Sequence, residues 1–125
     1  MDAYDADIVI YASKGDARGA RLVSALSTSS DAPIGIGSTL LAAETLVPGV
    51  DDSNRARVES ILDRLALVPL DLHIARTAGV LRGIYRLKTP DATHLATAIM
   101  AGAERFVTGN RRDFRHVREI EMVFT

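Results

Sequence analysis

The stretch LKTPDATHLATAIMAGAERFVTGN, residues 87–110, sets a helical pattern directly before a strand pattern, and that junction decides the fold. Ala92, Leu95, Ala96, Ile99 and Met100 recur at the spacing of an amphipathic helix, with Thr89 placed as N-cap and Pro90 as the first helical residue. The run RFVT, ending at Thr108, suits a short buried strand. Working outward, helical spacing returns at Leu22, Val23 and Leu26, at Val58, Ile61, Leu62 and Leu65, and at Ile74, Ala78, Leu81 and Tyr85. Strand-like runs lie between them: the first residues up to about Asp5, APIGIG around Ile34 to Ile36, ALVPL around Leu67, and IEMVFT at the end. Strand alternating with helix predicts an α/β sandwich on a mainly parallel sheet. Ligands of such sheets collect at the carboxyl ends of the strands.

Composition narrows the chemistry. A chain of 125 residues fits one domain, residues 1–125, and the turn-rich VPGVDDSN at 47–54 is too short to separate two. Without cysteine, disulfides, zinc–thiolate sites, iron–sulfur clusters and cysteine nucleophiles are excluded. No run approaches the roughly 20 apolar residues of a membrane helix, and the acidic start MDAYDAD does not resemble a secretion signal, so a cytosolic protein is expected. A net charge of -1 argues against holding nucleic acid by diffuse charge alone.

Four acidic positions fall at strand ends or helix starts. Asp91 lies in the first helical turn, where free N–H groups and the helix dipole favour an ionised carboxylate able to bind a cation; a dipole-stabilising role alone is the plainer alternative. Glu44 is the sole charge between Gly35 and Leu46, on an apolar helix for which Ser38 looks like the N-cap. Such a carboxylate must pair, protonate or meet a metal. Asp5 follows the first strand, and either it or Asp7 suits a cap for the helix entered through Ile8 to Tyr11. Asp113 follows the turn Thr108, Gly109, Asn110, where a turn-and-cap role is again the simpler reading. Together, Asp5, Glu44, Asp91 and Asp113 offer hard oxygen ligands at one sheet edge, the set that suits Mg2+ or Mn2+ with waters retained. Such ions polarise phosphoryl oxygens and activate water, so no protein nucleophile is needed.

In order and approximate spacing, YDADIVIYA, STLLAAETL, KTPDATHLATAI and FVTGNRRDF resemble the four motifs of PIN-domain ribonucleases, in particular VapC-type toxins of toxin–antitoxin modules. The TPDATHLATA segment with its following VTGN turn is the most specific part, and the similarity spans nearly the whole chain. The resemblance implies a three-layer α/β/α sandwich, Mg2+- or Mn2+-dependent endoribonuclease activity and inhibition by a cognate VapB-like antitoxin. By position, Asp5, Glu44 and Asp91 look like the first three metal-binding acids. Asp113 looks like the fourth, with Asn110 as its competitor, because many relatives carry an acid where Asn110 stands. Thr108 is similar to the family's strand-end supporting Thr, and Ser38 to a small polar residue before the second acid. Asp7 stands where relatives often have Asn or Ser and has no role in the pattern.

Arg105, Arg111, Arg112, Arg115 and Arg118 share a stretch whose only acid is Asp113, a candidate grip for RNA phosphates, with Arg111, Arg112 and Arg115 nearest the fourth motif. A solvated loop with surface ion pairs is the alternative. Lys14, Arg18 and Arg21 form a weaker second patch. His94, one turn beyond Asp91, reads as a packing or hydrogen-bonding residue, since His73 and His116 supply no matching ligands for zinc. Three Phe, three Tyr and no Trp argue against an aromatic base-stacking platform. The expectation is a homodimeric endoribonuclease toxin acting on RNA. Its rivals are a catalytically inactive PIN-like scaffold working through protein partners and, suggested by the DAD at Asp5 to Asp7, a metal-dependent phosphatase.

Overall fold

Phe106 and Val107 are adjacent and both fully buried. Successive strand side chains point to opposite faces, so a strand buried at both must have a layer on each side. The computed structural model, which describes residues 1–28 and 31–125, supplies both layers. Strands β1 (Asp2–Tyr4), β2 (Gly35–Ser38), β3 (Leu65–Val68), β4 (Arg105–Thr108) and β5 (Glu121–Phe124) form one sheet in the order β3-β2-β1-β4-β5. Every neighbouring pair is parallel. Parallel pairing requires crossovers, which the helices provide.

On one face lie α1 (Ala6–Ser13), α2 (Ala20–Leu26), α3 (Leu40–Thr45) and α4 (Arg55–Leu62), packing Ile8, Leu22, Leu41 and Ile61 around Tyr4 and Val107. On the other lie α5 (Leu72–Tyr85), α6 (Thr89–Met100) and α7 (Arg111–Phe114), packing Ile74, Leu81 and Leu95 around Ala3, Ile36 and Phe106. Phe114 closes this second core with its ring 5.4 Å from that of Phe106. The fold is the expected α/β/α sandwich. No helix among the described residues is long and apolar enough to cross a membrane.

Some boundaries differ from the sequence expectation. The first strand stops at Tyr4 because Asp5 already caps α1. Helix α6 begins at Thr89, with Lys88 in the capping position on an extended backbone (φ -69°, ψ 155°), so Thr89 is not the N-cap and Pro90 is the second helical residue. Residues 47–54 hold a short 3-10 turn, Asp52–Asn54, that leads directly into α4. Asn54 is buried and its side-chain amide donates to Ser13 Oγ, so this segment is fastened to α1.

The sheet order grows in one direction from β1 through β2 to β3 and in the other through β4 to β5. A crevice opens at the carboxyl ends of the strands where the order reverses. Asp5 follows β1 there, and Thr108 ends β4 beside it.

Candidate metal centre

The chain leaves β1 and enters α1 through Asp5, whose extended backbone (φ -75°, ψ 161°) and short carboxylate suit an N-cap. Oδ1 accepts the Ala6 N–H at 2.9 Å, and Oδ2 accepts the Thr108 hydroxyl at 2.8 Å. Thr108 Oγ1 also accepts the Asn110 N–H at 3.1 Å, so one buried hydroxyl joins β1, β4 and the following turn. Burial, chiefly, pushes the Asp5 carboxyl up to about 7; Asp7 and Asp91 add to the rise, and the Thr108 and Ala6 hydrogen bonds oppose it.

Asp91 occupies the first turn of α6 and is half-buried. Its carboxyl is held above the usual range, first by burial and then by the negative charges of Asp113 and Glu44, with His94 and Lys88 opposing. The helix dipole expected from the sequence is therefore not the dominant influence on Asp91: lost hydration and two neighbouring carboxylates outweigh it. Glu44 reaches in from α3, with Oε1 buried and without a donor and Oε2 3.3 Å from His94 Nε2. Ser38, fully buried at the end of β2, accepts the Leu40 N–H at 3.0 Å. It caps α3 from one residue before the positional N-cap, Thr39.

At the fourth motif the sequence alternatives turn out to be partners. Asn110 Oδ1 accepts the Asp113 N–H at 3.2 Å, and its Nδ2 donates to Asp113 Oδ2 at 2.9 Å. Asn110 thus holds Asp113, and this bond, joined by one from Arg112, keeps the Asp113 carboxyl below its ordinary value. Asp7 lies beside them: Oδ2 accepts the Gly109 N–H at 3.0 Å, while Oδ1 is buried and unpaired.

These residues fit a divalent cation. The buried side-chain atoms without a hydrogen bond among the described residues are Asp7 Oδ1, Glu44 Oε1 and both ring nitrogens of His94, all in this region. Buried lone pairs without donors are costly, and a cation satisfies them. Burial chiefly raises the carboxyl pKa values of Asp5 and Asp91, and neighbouring acids add to it, Asp7 and Asp91 at Asp5 and Asp113 and Glu44 at Asp91, a repulsion that a cation would relieve. As the side chains stand, no three Asp, Glu or His residues among the described residues are gathered closely enough to hold a metal ion, so binding would have to draw the carboxylates inward.

The PIN domain family profile matches residues 4–120. The chain belongs to the PIN-domain family. Three solved structures resemble this PIN domain over nearly its full length. A toxin–antitoxin complex from Klebsiella pneumoniae is 25% identical with a TM-score of 0.80, covering 98% of this chain and 96% of that one. VapBC2 from Rickettsia felis, bound to a DNA fragment from its promoter, is 18% identical with a TM-score of 0.73, covering 99% and 98%. VapBC-1 from nontypeable Haemophilus influenzae is 18% identical with a TM-score of 0.69, covering 98% and 96%. No curated protein matches significantly.

Of the PIN domain's basic residues, α7 and its end bring Arg111, Arg112 and Arg115 next to Asp113. Arg111 stacks over the Phe124 ring at 4.5 Å, and the Arg112 side chain is 83% exposed although its Nε touches Asp113. Arg115 is exposed, with Nε donating to His116 Nε2 at 3.2 Å. Arg105 does not join them. It begins β4 at the opposite end of the sheet and pairs with Asp2 at 2.7 Å and with Glu104. The second patch is also tied up, Lys14 by Asp51, Arg18 by Asp16 and Arg21 by Asp2. Lys88, which the sequence pattern does not single out, carries a positive charge felt by both Asp91 and Asp113. Its position just before the α6 start was the available signal.

Proposed function

We propose that this PIN domain is a Mg2+- or Mn2+-dependent endoribonuclease and the toxin of a VapBC-type module, neutralised by a cognate antitoxin. The observation that carries the reading is Asp91: one half-buried carboxylate that feels both Glu44 and Asp113, beside Asp5 at the strand switch. The full-length likeness to toxin–antitoxin complexes supports an antitoxin as partner. A homodimer acting in the cytoplasm is the expected working form.

Asp5, Glu44, Asp91 and Asp113 would hold the ion. When bound, it supplies charge neutralisation at a phosphoryl group and makes a water more acidic. Thr108 fixes the Asp5 carboxylate through its hydroxyl, Asn110 fixes Asp113, and Ser38 fixes the start of the helix that carries Glu44. Arg112 and Arg115 stand exposed beside Asp113, where guanidinium groups can take RNA phosphates in bidentate fashion and align the strand.

The test is incubation of the purified, antitoxin-free protein with total RNA and Mg2+ or Mn2+, alongside EDTA and an Asp91→Asn variant. Discrete fragments that require metal and vanish in the variant are expected, and their ends identify the target. A folded wild-type protein that binds no divalent ion and cuts no RNA would overturn the reading in favour of a non-catalytic scaffold.

A further inference from the structure

His94 is the residue that a packing role explains least. It lies on α6 one turn after Asp91, its side chain is 1% exposed, and neither ring nitrogen makes a hydrogen bond. Buried histidines ordinarily have both nitrogens satisfied. The neighbouring buried hydroxyls are already committed, Thr93 to the Thr89 carbonyl and Thr97 to the Thr93 carbonyl. The polar atom facing the ring is Glu44 Oε2, 3.3 Å from Nε2 without a hydrogen bond, and the other oxygen of that carboxylate is buried and unpaired as well.

A neutral imidazole carries one N–H and one lone pair. With the proton on Nδ1, that N–H is stranded and the Nε2 lone pair faces a carboxylate oxygen. With the proton on Nε2, the Nδ1 lone pair is stranded and the N–H fails to engage Glu44. Neither tautomer resolves the contact between the two side chains, whereas a cation bound by both does. Neighbouring ligands of an octahedral ion with bonds of about 2.1 Å stand about 3.0 Å apart, close to the spacing seen here. Asp91 comes from the same face of α6 at i, i+3, and its carboxyl senses the His94 charge, as does that of Asp7.

We infer that His94 Nε2 is a direct ligand of the divalent ion beside Glu44, and that this nitrogen tilts the centre from Mg2+ towards Mn2+ and similar borderline ions. Imidazole suits first-row transition ions, whereas Mg2+ takes oxygen. The inference rests on the nuclease reading only in taking the ion as belonging to that site.

The experiment is pulsed electron paramagnetic resonance of the Mn2+-loaded wild-type protein, prepared with natural-abundance and with 15N-labelled histidine. A directly bound imidazole gives a nitrogen coupling that changes with the label. A His73→Gln, His116→Gln double variant, which alters only the two exposed histidines, retains it. Calorimetric titration with each ion follows, expecting the Mn2+ over Mg2+ preference of a His94→Gln variant to fall by about tenfold, because an imidazole that favours transition ions is replaced by an amide oxygen. If Mn2+ binds and depends on Asp91 but shows no histidine nitrogen coupling, the inference fails while the nuclease reading stands. If His94→Gln weakens both ions equally, His94 only positions Glu44, and the inference fails. If the wild-type protein binds neither ion, both fall together.

Discussion

Replacing Asp5 by Asn is expected to stabilise the ion-free protein at pH 8 and to remove its divalent-ion binding. Asp5 is 5% exposed, and its carboxyl moves from the ordinary 3.8 to about 7. Its folded-state pKa is raised, so the associated stability is fully present below the unfolded value and is lost as pH rises through the folded one. A shift of this size corresponds to about 4 kcal/mol. Roughly 1.5 kcal/mol of that goes below pH 5, and about 2.5 kcal/mol more between pH 5 and pH 8. Asparagine keeps the geometry: its Oδ1 can accept from Ala6 N–H, and its amide can donate to Thr108 Oγ1, while no charge forms at any pH.

The assay is urea denaturation in EDTA at pH 5 and pH 8, wild type against Asp5→Asn. Every other ionisable group is common to both proteins, so the difference between the two pH slopes isolates Asp5 and its coupling to Asp7 and Asp91. Wild type is expected to weaken by about 2.5 kcal/mol more than the variant across that interval. Saturating Mg2+ or Mn2+ at pH 8 should restore the wild type and leave the variant unmoved. Parallel pH slopes in the two proteins would refute the argument, because they would mean that burial of Asp5 imposes no protonation.

Three further outcomes follow from the same contacts. Thr108→Val removes the donor to Asp5 and the acceptor for Asn110 N–H, so unfolding should become easier by about 2–3 kcal/mol, more at pH 8 than at pH 5, in the same denaturation assay. Arg115→Ala should raise KM for RNA with little change in kcat and flatten the salt dependence of binding, both measurable with a labelled oligonucleotide; an unchanged salt slope would remove Arg115 from the RNA path. Gly19→Ala puts a Cβ 2.3 Å from the Ala12 backbone nitrogen, a collision that no rotamer relieves. The urea midpoint should fall, with a destabilisation of about 1–3 kcal/mol or more.

The layers of the fold were legible because the apolar positions carry their own period. The α6 stripe of Ala92, Leu95, Ala96 and Ile99 and the adjacent buried pair Phe106 and Val107 state helix and doubly covered strand without reference to anything distant. Asp5, Glu44, Asp91 and Asp113 were legible as strand-end and helix-start acids. Their relations were not, since those depend on chain segments far apart. Asn110 looks like a rival to Asp113 in sequence and is its holder in space, and Arg105 reads as part of a basic run although β4 carries it to the far end of the sheet. The direction of the Asp91 shift was hidden for the same reason: a helix dipole is a local property, whereas burial and the charges of Glu44 and Asp113 come from the packed whole.

That shift joins stability to function. A carboxylate held at a helix start by local forces alone would be ionised, satisfied and indifferent to an added ion. Asp5 and Asp91 are instead buried near other acids, so the ion-free fold is less stable above neutral pH than its packing alone would make it. An ion that binds only the assembled, ionised set recovers that free energy, and its affinity for the folded chain rises by the same linkage. Substitutions that relieve the repulsion should therefore strengthen the ion-free protein as they weaken ion binding. A purely structural cluster of acids would give no reason for the two effects to move in opposite directions.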